Sequence, residues 1–102
     1  MKEKDVVIVA YGRAPIGKGV KGTLAKVHPL EYASQVLQGV LAQVPQLPHE
    51  EIGDVVVGCA MPYFEQGDNV GRLLVLRAGL PNSIPGQSIN RLCSSSLQAI
   101  AT

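Results

Sequence analysis

The sequence predicts an α/β fold in which a mainly parallel sheet is built from strands and helices in the order β-α-β-α-β-α. Two runs of branched apolar residues, Val6–Ala10 and Ile52–Gly58, are typical of strands that are buried on both faces. The segments between such runs carry apolar residues at helical spacing and are separated by Gly- and Pro-rich stretches. This alternation indicates parallel strands that are joined by crossover helices.

In the first half of the chain, the strand Val6–Ala10 is predicted to lead into the loop 12–22, which is rich in glycine and carries Pro15. Pro29 is predicted to open the first helix, because proline is tolerated at the first helical position. Glu31 then lies in the first turn, where a carboxylate interacts favourably with the helix dipole. The helix is expected to end before Pro45. Its apolar face comprises Leu30, Ala33, Leu37, Val40, Leu41 and Val44.

In the second half, the strand Ile52–Gly58 is followed by a long predicted loop, 60–68. Asn69 is a good N-cap residue and is predicted to begin the second helix. Gly79, followed by Pro81, is expected to end that helix.

Cys93 lies between a short third predicted strand, 87–90, and a segment that has the character of a helix, 97–101. The free N–H groups of a first helical turn favour a thiolate over a thiol, so this position suits a nucleophile. A small packing role is the alternative for a single cysteine at such a junction. Ligands of parallel sheets gather beyond the carboxyl ends of the strands, where we expect the loops 12–22, 60–68 and 92–94 to meet.

Composition narrows the class of protein. A chain of 102 residues with 46% hydrophobic and 17% charged residues fits one domain with a modest core. With a formal net charge of +1 and scattered basic residues, we expect no nucleic-acid partner. Two cysteines do not make a zinc site, and their scarcity agrees with a reducing compartment. No leader precedes the first strand and the apolar runs are too short to cross a bilayer, so we expect a cytoplasmic protein without a metal or a membrane partner.

Several other residues invite a functional interpretation that we consider weaker. The segment 12–19 nearly matches the phosphate-binding motif G-x-x-x-x-G-K-[ST] but has glycine at the last position, so we interpret it as a structured loop. Cys59 is expected to be a small apolar residue of a strand end. His28 and His49 are expected to be capping or solvent-facing. The hydroxyls of the serines 94–96 are expected to satisfy backbone donors at the helix start, since no G-x-S-x-G motif is present.

Five segments resemble those of one enzyme family in the same order along the chain. The segment 89–100 resembles the nucleophile segment of thiolases, the acyl-CoA C-acyltransferases. The segments 6–17 and 55–60 resemble the family's first two strands, and the segments 67–72 and 78–81 resemble its Asn-x-x-Arg helix and exit turn. We interpret residues 1–102 as the N-terminal part of a thiolase N-terminal domain, ending after the nucleophile helix begins.

The resemblance implies a function. Cys93 would be the nucleophile of acyl transfer between CoA thioesters, by thiolytic cleavage of a 3-ketoacyl-CoA or by the reverse condensation to acetoacetyl-CoA. CoA and acyl-CoA would be substrates, no cofactor is expected, and the complete protein would be a homodimer or homotetramer. The family's activating histidine and second cysteine lie in parts that this chain does not contain. We therefore expect a shortened chain that is inactive by itself.

One residue departs from the thiolase pattern, and two alternatives to an active thiolase stay open. Ser96 stands where thiolases usually have glycine, which would favour close backbone approach. The chain is alternatively an inactive remnant that acts only by association, or part of a ketoacyl synthase-like condensing enzyme. Asn90-Arg91 and the pair Asn69 and Arg72 favour thiolase over the condensing enzymes. Direction and acyl chain length stay open, with a lean toward the broader 3-ketoacyl type.

Overall fold

The computed structural model describes residues 4–102 and contains two strands and three α-helices in that range. In chain order these are α1 (Pro29–Ala42), β1 (Val55–Gly58), α2 (Val70–Arg77), β2 (Gly86–Ile89) and α3 (Ser95–Ala101). Short 3₁₀ turns lie at His49–Glu51, Phe64–Gln66 and Leu92–Ser94. The predicted α/β class with a parallel sheet is confirmed.

The two strands are parallel, and their register pairs Val55 with Gly86 and Gly58 with Ile89. A Cβ atom at Gly86 would point into α2, whereas a Cβ atom at Gly58 would point into α3. Because successive side chains of a strand alternate between faces, Val55 and Gly86 share one face and Gly58 belongs to the other. The sheet therefore separates α2, with α1 packed against it, from α3.

The core lies between α1, α2 and the sheet. Its central residues are Val75, which is fully buried, and Ile84, which is 1% exposed. Ala78 and Leu80 complete the buried cluster. Four partly buried apolar residues from α1, β1 and the segment before β1 pack around it: Leu37, Leu41, Ile52 and Val55.

The start of α1 agrees with the sequence prediction. Proline occupies the first helical position, and the Nδ1 atom of His28 accepts a hydrogen bond from the N–H of Leu30 at 3.1 Å. This bond satisfies one of the donors that a helix start leaves free. His28 is thus a capping residue, one of the two roles that the sequence predicted. The helix ends at Ala42, before Pro45, as expected.

Asn69 caps α2 and also fastens it to β2. Its Oδ1 atom accepts from the N–H of Arg72 at 3.4 Å, and its Nδ2 atom donates to the carbonyl of Gly86 at 2.7 Å. The guanidinium of Arg72 donates to the carbonyl of Ile84 at 2.6 Å. Asn69 therefore holds the helix start against β2, and Arg72 holds it against the segment just before β2. Gly79, with φ of +76°, ends the helix region as predicted.

The predicted strand Val6–Ala10 is wrong. This segment joins no sheet within the described residues, and its four branched side chains are exposed: Val6 is 100% and Val9 is 71% accessible. A strand needs hydrogen-bonding neighbours and covered faces, and the branched composition that raises strand propensity supplies neither. The segment continues toward α1 instead, where the side chain of Gln43 donates to the carbonyl of Tyr11 at 2.8 Å.

No helix among the described residues has both the length and the apolar character that crossing a membrane requires.

Candidate active site

Two loops meet at one edge of the sheet. Because β1 and β2 are parallel, their carboxyl ends lie side by side, and the loop 60–68 and the turn Leu92–Ser94 follow them. The Nδ2 atom of Asn90 donates to the carbonyl of Ala60 at 3.4 Å and joins the two. The sequence prediction that these loops come together is confirmed.

The third predicted loop, 12–22, is not brought to this edge by a strand, because the segment before it is not in the sheet. Residues Gly12–Pro15 lie against α1 and border a cleft of about 360 Å³ with Tyr32 and Val36. Cys93 does not line this cleft.

Cys93 occupies the middle of the 3₁₀ turn Leu92–Ser94 and is exposed. The sequence suggested that the cysteine follows the third strand directly. In the structure β2 ends at Ile89, and the cysteine lies on a turn between this strand and α3. The result is an accessible thiol at the carboxyl edge. Accessibility of the sulfur is the first requirement for nucleophilic attack on a bulky thioester.

The residue before the cysteine has an unusual backbone. Leu92 has φ of +51°, in the left-handed region that costs a residue with a Cβ atom roughly 1–2 kcal/mol. Its N–H donates to the Oδ1 atom of Asn90 at 2.9 Å, and its carbonyl accepts from the hydroxyl of Ser95 at 2.6 Å. Sequence reasoning missed this feature because leucine carries none of the usual signals for positive φ.

The turn is placed by a close crossing of α3 over β1. A Cβ atom at Gly58 would lie 2.4 Å from the backbone nitrogen of Ser96 and 2.5 Å from the carbonyl carbon of Ser95. Only glycine accommodates that approach. The signal in the sequence was the glycine that follows three valines at the end of a strand.

The three serines after Cys93 play different parts. The hydroxyl of Ser95 accepts from the N–H of Arg91 at 2.9 Å, so the backbone donor that it satisfies lies before the turn and not at the start of α3, where the sequence predicted it. The hydroxyl of Ser94 instead donates to the carbonyl of Arg91 at 3.0 Å and makes no cap bond to α3. Ser96, at the position where the resembling family usually has glycine, is exposed.

Cys59 shows the opposite environment to Cys93. It follows β1 directly, is 8% exposed, and its Sγ atom accepts from the side chain of Gln66 at 3.5 Å. The expectation of a small buried residue at a strand end is confirmed.

The two histidines lie at the start of α1 and in the turn before β1. His28 is engaged in its cap, and His49 is an exposed residue of the turn before β1, where it borders a cleft with Leu80. Residues 4–102 bring together no group of three or more His, Cys, Asp or Glu side chains that would hold a metal ion.

Comparison with known proteins gives a consistent result. The family model described as "Thiolase, N-terminal domain" matches residues 6–102. A 3-ketoacyl-CoA thiolase of Saccharophagus degradans is 41% identical over all 102 residues, which cover 26% of that protein. A 3-ketoacyl-CoA thiolase of Bacillus subtilis is 41% identical over 98 residues, covering 96% of this chain and 25% of the relative.

A solved structure is similar as well. The crystal structure of the Bacillus anthracis acetyl-CoA acetyltransferase superposes with a TM-score of 0.71 at 34% sequence identity, covering 78% of this chain and 20% of the other. The chain therefore spans about a quarter of the length of the relatives that it matches.

Proposed function

The chain belongs to the thiolase family, and on that premise we propose that the protein transfers acyl groups between CoA thioesters through an acyl-enzyme on Cys93. The observation that carries the proposal is the exposed thiol of Cys93 at the carboxyl edge of a parallel sheet. The buried Cys59 offers no comparable access to a substrate.

The chemistry divides into two half-reactions. The sulfur of Cys93 attacks the C3 carbonyl carbon of a 3-ketoacyl-CoA, and the bond between C2 and C3 then breaks. Its electron pair leaves as the enolate of acetyl-CoA, which takes up a proton. The shortened acyl group stays on the sulfur as a thioester until the thiol of a second CoA attacks it and releases Cys93. Sulfur serves both steps because it is a strong nucleophile and a good leaving group.

The charge that develops on the substrate oxygen needs hydrogen-bond donors. By resemblance, the activating histidine and the acid/base cysteine belong to parts of the family fold that these residues do not include. We therefore propose that the 102-residue chain by itself has no thiolase activity. Detection of CoA-dependent cleavage of acetoacetyl-CoA by the purified 102-residue chain would contradict this part of the proposal.

The experiment that tests the proposal is a chimera in which residues 1–102 replace the matching quarter of the Bacillus subtilis relative. We expect this chimera to cleave acetoacetyl-CoA in the presence of CoA. The substitution Cys93→Ala should lower kcat by at least about a thousandfold, since it removes the nucleophile. The matched control Cys59→Ala should leave more than about a third of kcat, because a buried cysteine contributes packing only.

The chimera also separates the proposal from its alternative, a remnant that acts only by association. A chimera that folds, as judged by circular dichroism and gel filtration, and has no activity would favour the remnant. A folded chimera that keeps its activity after Cys93→Ala would exclude Cys93 as the nucleophile.

Assembly and location are proposed on the same premise. We propose a cytoplasmic homodimer or homotetramer for the protein at the length of its relatives. The exposed apolar residues Leu97 and Ile100 of α3, which are 70% and 73% accessible, mark a surface that the rest of the protein or a second subunit would cover. Sedimentation equilibrium of the chimera tests the oligomeric state, and a monomer would contradict it.

A further inference from the structure

The backbone of Leu92 is held by side chains on both of its polar groups. The N–H donates to Oδ1 of Asn90 at 2.9 Å, and the carbonyl accepts from Oγ of Ser95 at 2.6 Å. Three other described non-glycine residues have positive φ, among them Phe64 with φ of +55°. The turn at Phe64 is closed by backbone bonds, such as that from Gly67 to the carbonyl of Phe64 at 2.9 Å.

Ser95 is a buried polar residue with two partners on the same turn. It is 4% exposed, and its hydroxyl accepts from the N–H of Arg91 at 2.9 Å while it donates to the carbonyl of Leu92. It is not the N-cap of α3, a position that Ser94 occupies. The hydroxyl therefore links the N–H of Arg91 to the carbonyl of Leu92 and does not cap the helix start.

Asn90 makes a second connection. Its Oδ1 atom holds the N–H of Leu92, and its Nδ2 atom reaches the carbonyl of Ala60 in the loop after the neighbouring strand. The turn is thus tied both to itself and to the adjacent part of the carboxyl edge.

We infer that Asn90 and Ser95 are positioning residues for Cys93: together they clamp Leu92 in the left-handed region and so fix the turn that presents the thiol. The inference rests on the proposed function, because the position of the thiol matters only if Cys93 is the nucleophile. The clamp itself is a property of the backbone and exists with or without that function. Because Leu92 is 67% exposed, its own side chain does little to hold the turn.

The clamp is tested first on the 102-residue chain by nuclear magnetic resonance. A residue with positive φ gives an intense cross-peak between its own amide and Hα hydrogens, since the two lie close together. We expect this cross-peak at Leu92 to weaken in Ser95→Ala and in Asn90→Ala and to persist in Asn90→Asp, which keeps the acceptor for the N–H of Leu92. The cross-peak of Phe64 is the internal control and should not change. An unchanged Leu92 cross-peak in both alanine variants would overturn the clamp.

The positioning role is tested on the chimera through single-turnover acetylation by acetyl-CoA. We expect Ser95→Ala to lower the maximal rate of acetylation about tenfold with less than about a twofold change in the half-saturating concentration, because misplacement of a reacting group acts on the rate. In a Leu92→Gly background, where positive φ costs little, the same substitution should lower the rate less than about threefold. Equal losses in the two backgrounds would overturn the positioning role.

The two failures are distinguishable. A folded chimera that takes up no acetyl group contradicts the proposed function, whereas the cross-peak of Leu92 still decides whether the clamp exists.

Discussion

The two strand ends at the carboxyl edge make opposite use of a cysteine. β1 is followed directly by Cys59, which is buried, whereas Cys93, which is exposed, lies on the 3₁₀ turn between β2 and α3. The strands are paired in register at Gly58 and Ile89, so the two ends occupy equivalent places in the sheet. The difference comes from the chain that follows each strand.

After β1 the chain folds back on its own strand end. The side chain of Gln66 donates to the Sγ atom of Cys59 at 3.5 Å and to the carbonyl of Met61 at 3.0 Å, so the loop closes over the thiol. After β2 the left-handed residue Leu92 redirects the chain into a turn that leaves Cys93 accessible. The environment of a cysteine at a strand end is therefore set by the next few residues and not by the strand.

The largest expected effect is a difference in labelling rate between the two thiols. Iodoacetamide should alkylate Cys93 at least about a hundredfold faster than Cys59, because the buried thiol reacts only after local opening. Mass spectrometry of tryptic peptides from a time course measures both rates in one sample. Comparable alkylation rates of the two thiols in the folded chain would contradict the difference in accessibility between Cys59 and Cys93.

A substitution at the crossing of α3 over β1, which places the turn of the exposed thiol, should lower the stability of the fold. Gly58→Ala places a methyl group 2.4 Å from the backbone of Ser96, and we expect a loss of about 2–3 kcal/mol in the free energy of unfolding. Gly53→Ala is the matched control, since no atom lies within 4 Å of its added Cβ atom. Urea denaturation gives both values, and equal stabilities for the two variants would contradict the close crossing.

A substitution at the start of α2 should lower stability without altering the exposed thiol. Asn69→Ala removes the cap bond and the bond to Gly86, with an expected loss of about 1–2 kcal/mol. Labelling of Cys93 should stay within about twofold, because the turn Leu92–Ser94 makes no contact with Asn69 through these bonds. For comparison, Asn82→Ala at an exposed position should change stability by less than about 0.5 kcal/mol. Equal losses in the two asparagine variants would argue against the capping role.

The smallest expected effect concerns the ion pair between Arg77 and Glu31, which links α2 to α1. The side chains of the pair are 50% and 45% exposed, so water screens their attraction. Glu31→Gln should cost less than about 1 kcal/mol, and the difference should shrink further at high salt. A loss well above this value would mean that the interface between the helices depends on charge more than on Leu37 and Leu41.

Much of the fold was predictable because local chemistry determined it. Pro29 and the cap at His28 define the start of α1, and Asn69 and Gly79 bracket α2. These features act within a turn of the chain, so the sequence carries them directly.

The segment Val6–Ala10 was mispredicted for the converse reason. Its branched residues are as apolar as those of β1, but a strand also requires a neighbour that is remote in sequence. The valines of β1 have β2 as their neighbouring strand, whereas the described residues provide no neighbouring strand for Val6–Ala10. The composition of a segment shows its tendency to form a strand but not whether a neighbouring strand is present.

The candidate site also has features that the sequence predicted and features that it did not. The sequence located Cys93 between a strand and a helix and placed Cys59 in a buried position. It did not predict the left-handed Leu92 or its clamp, since a backbone conformation held by Asn90 and Ser95 depends on contacts that only the folded turn creates. The chemical role of Cys93 stays a prediction.

That role is tested most directly by mapping the acyl group. The chimera is incubated with acetyl-CoA, quenched in acid and digested, and each cysteine peptide is examined for the mass of one acetyl group. We expect acetylation of the peptide that carries Cys93 and none of the peptide that carries Cys59. Acetyl groups at Cys59, at a serine of the adjacent turn, or on no residue of the folded chimera would contradict it.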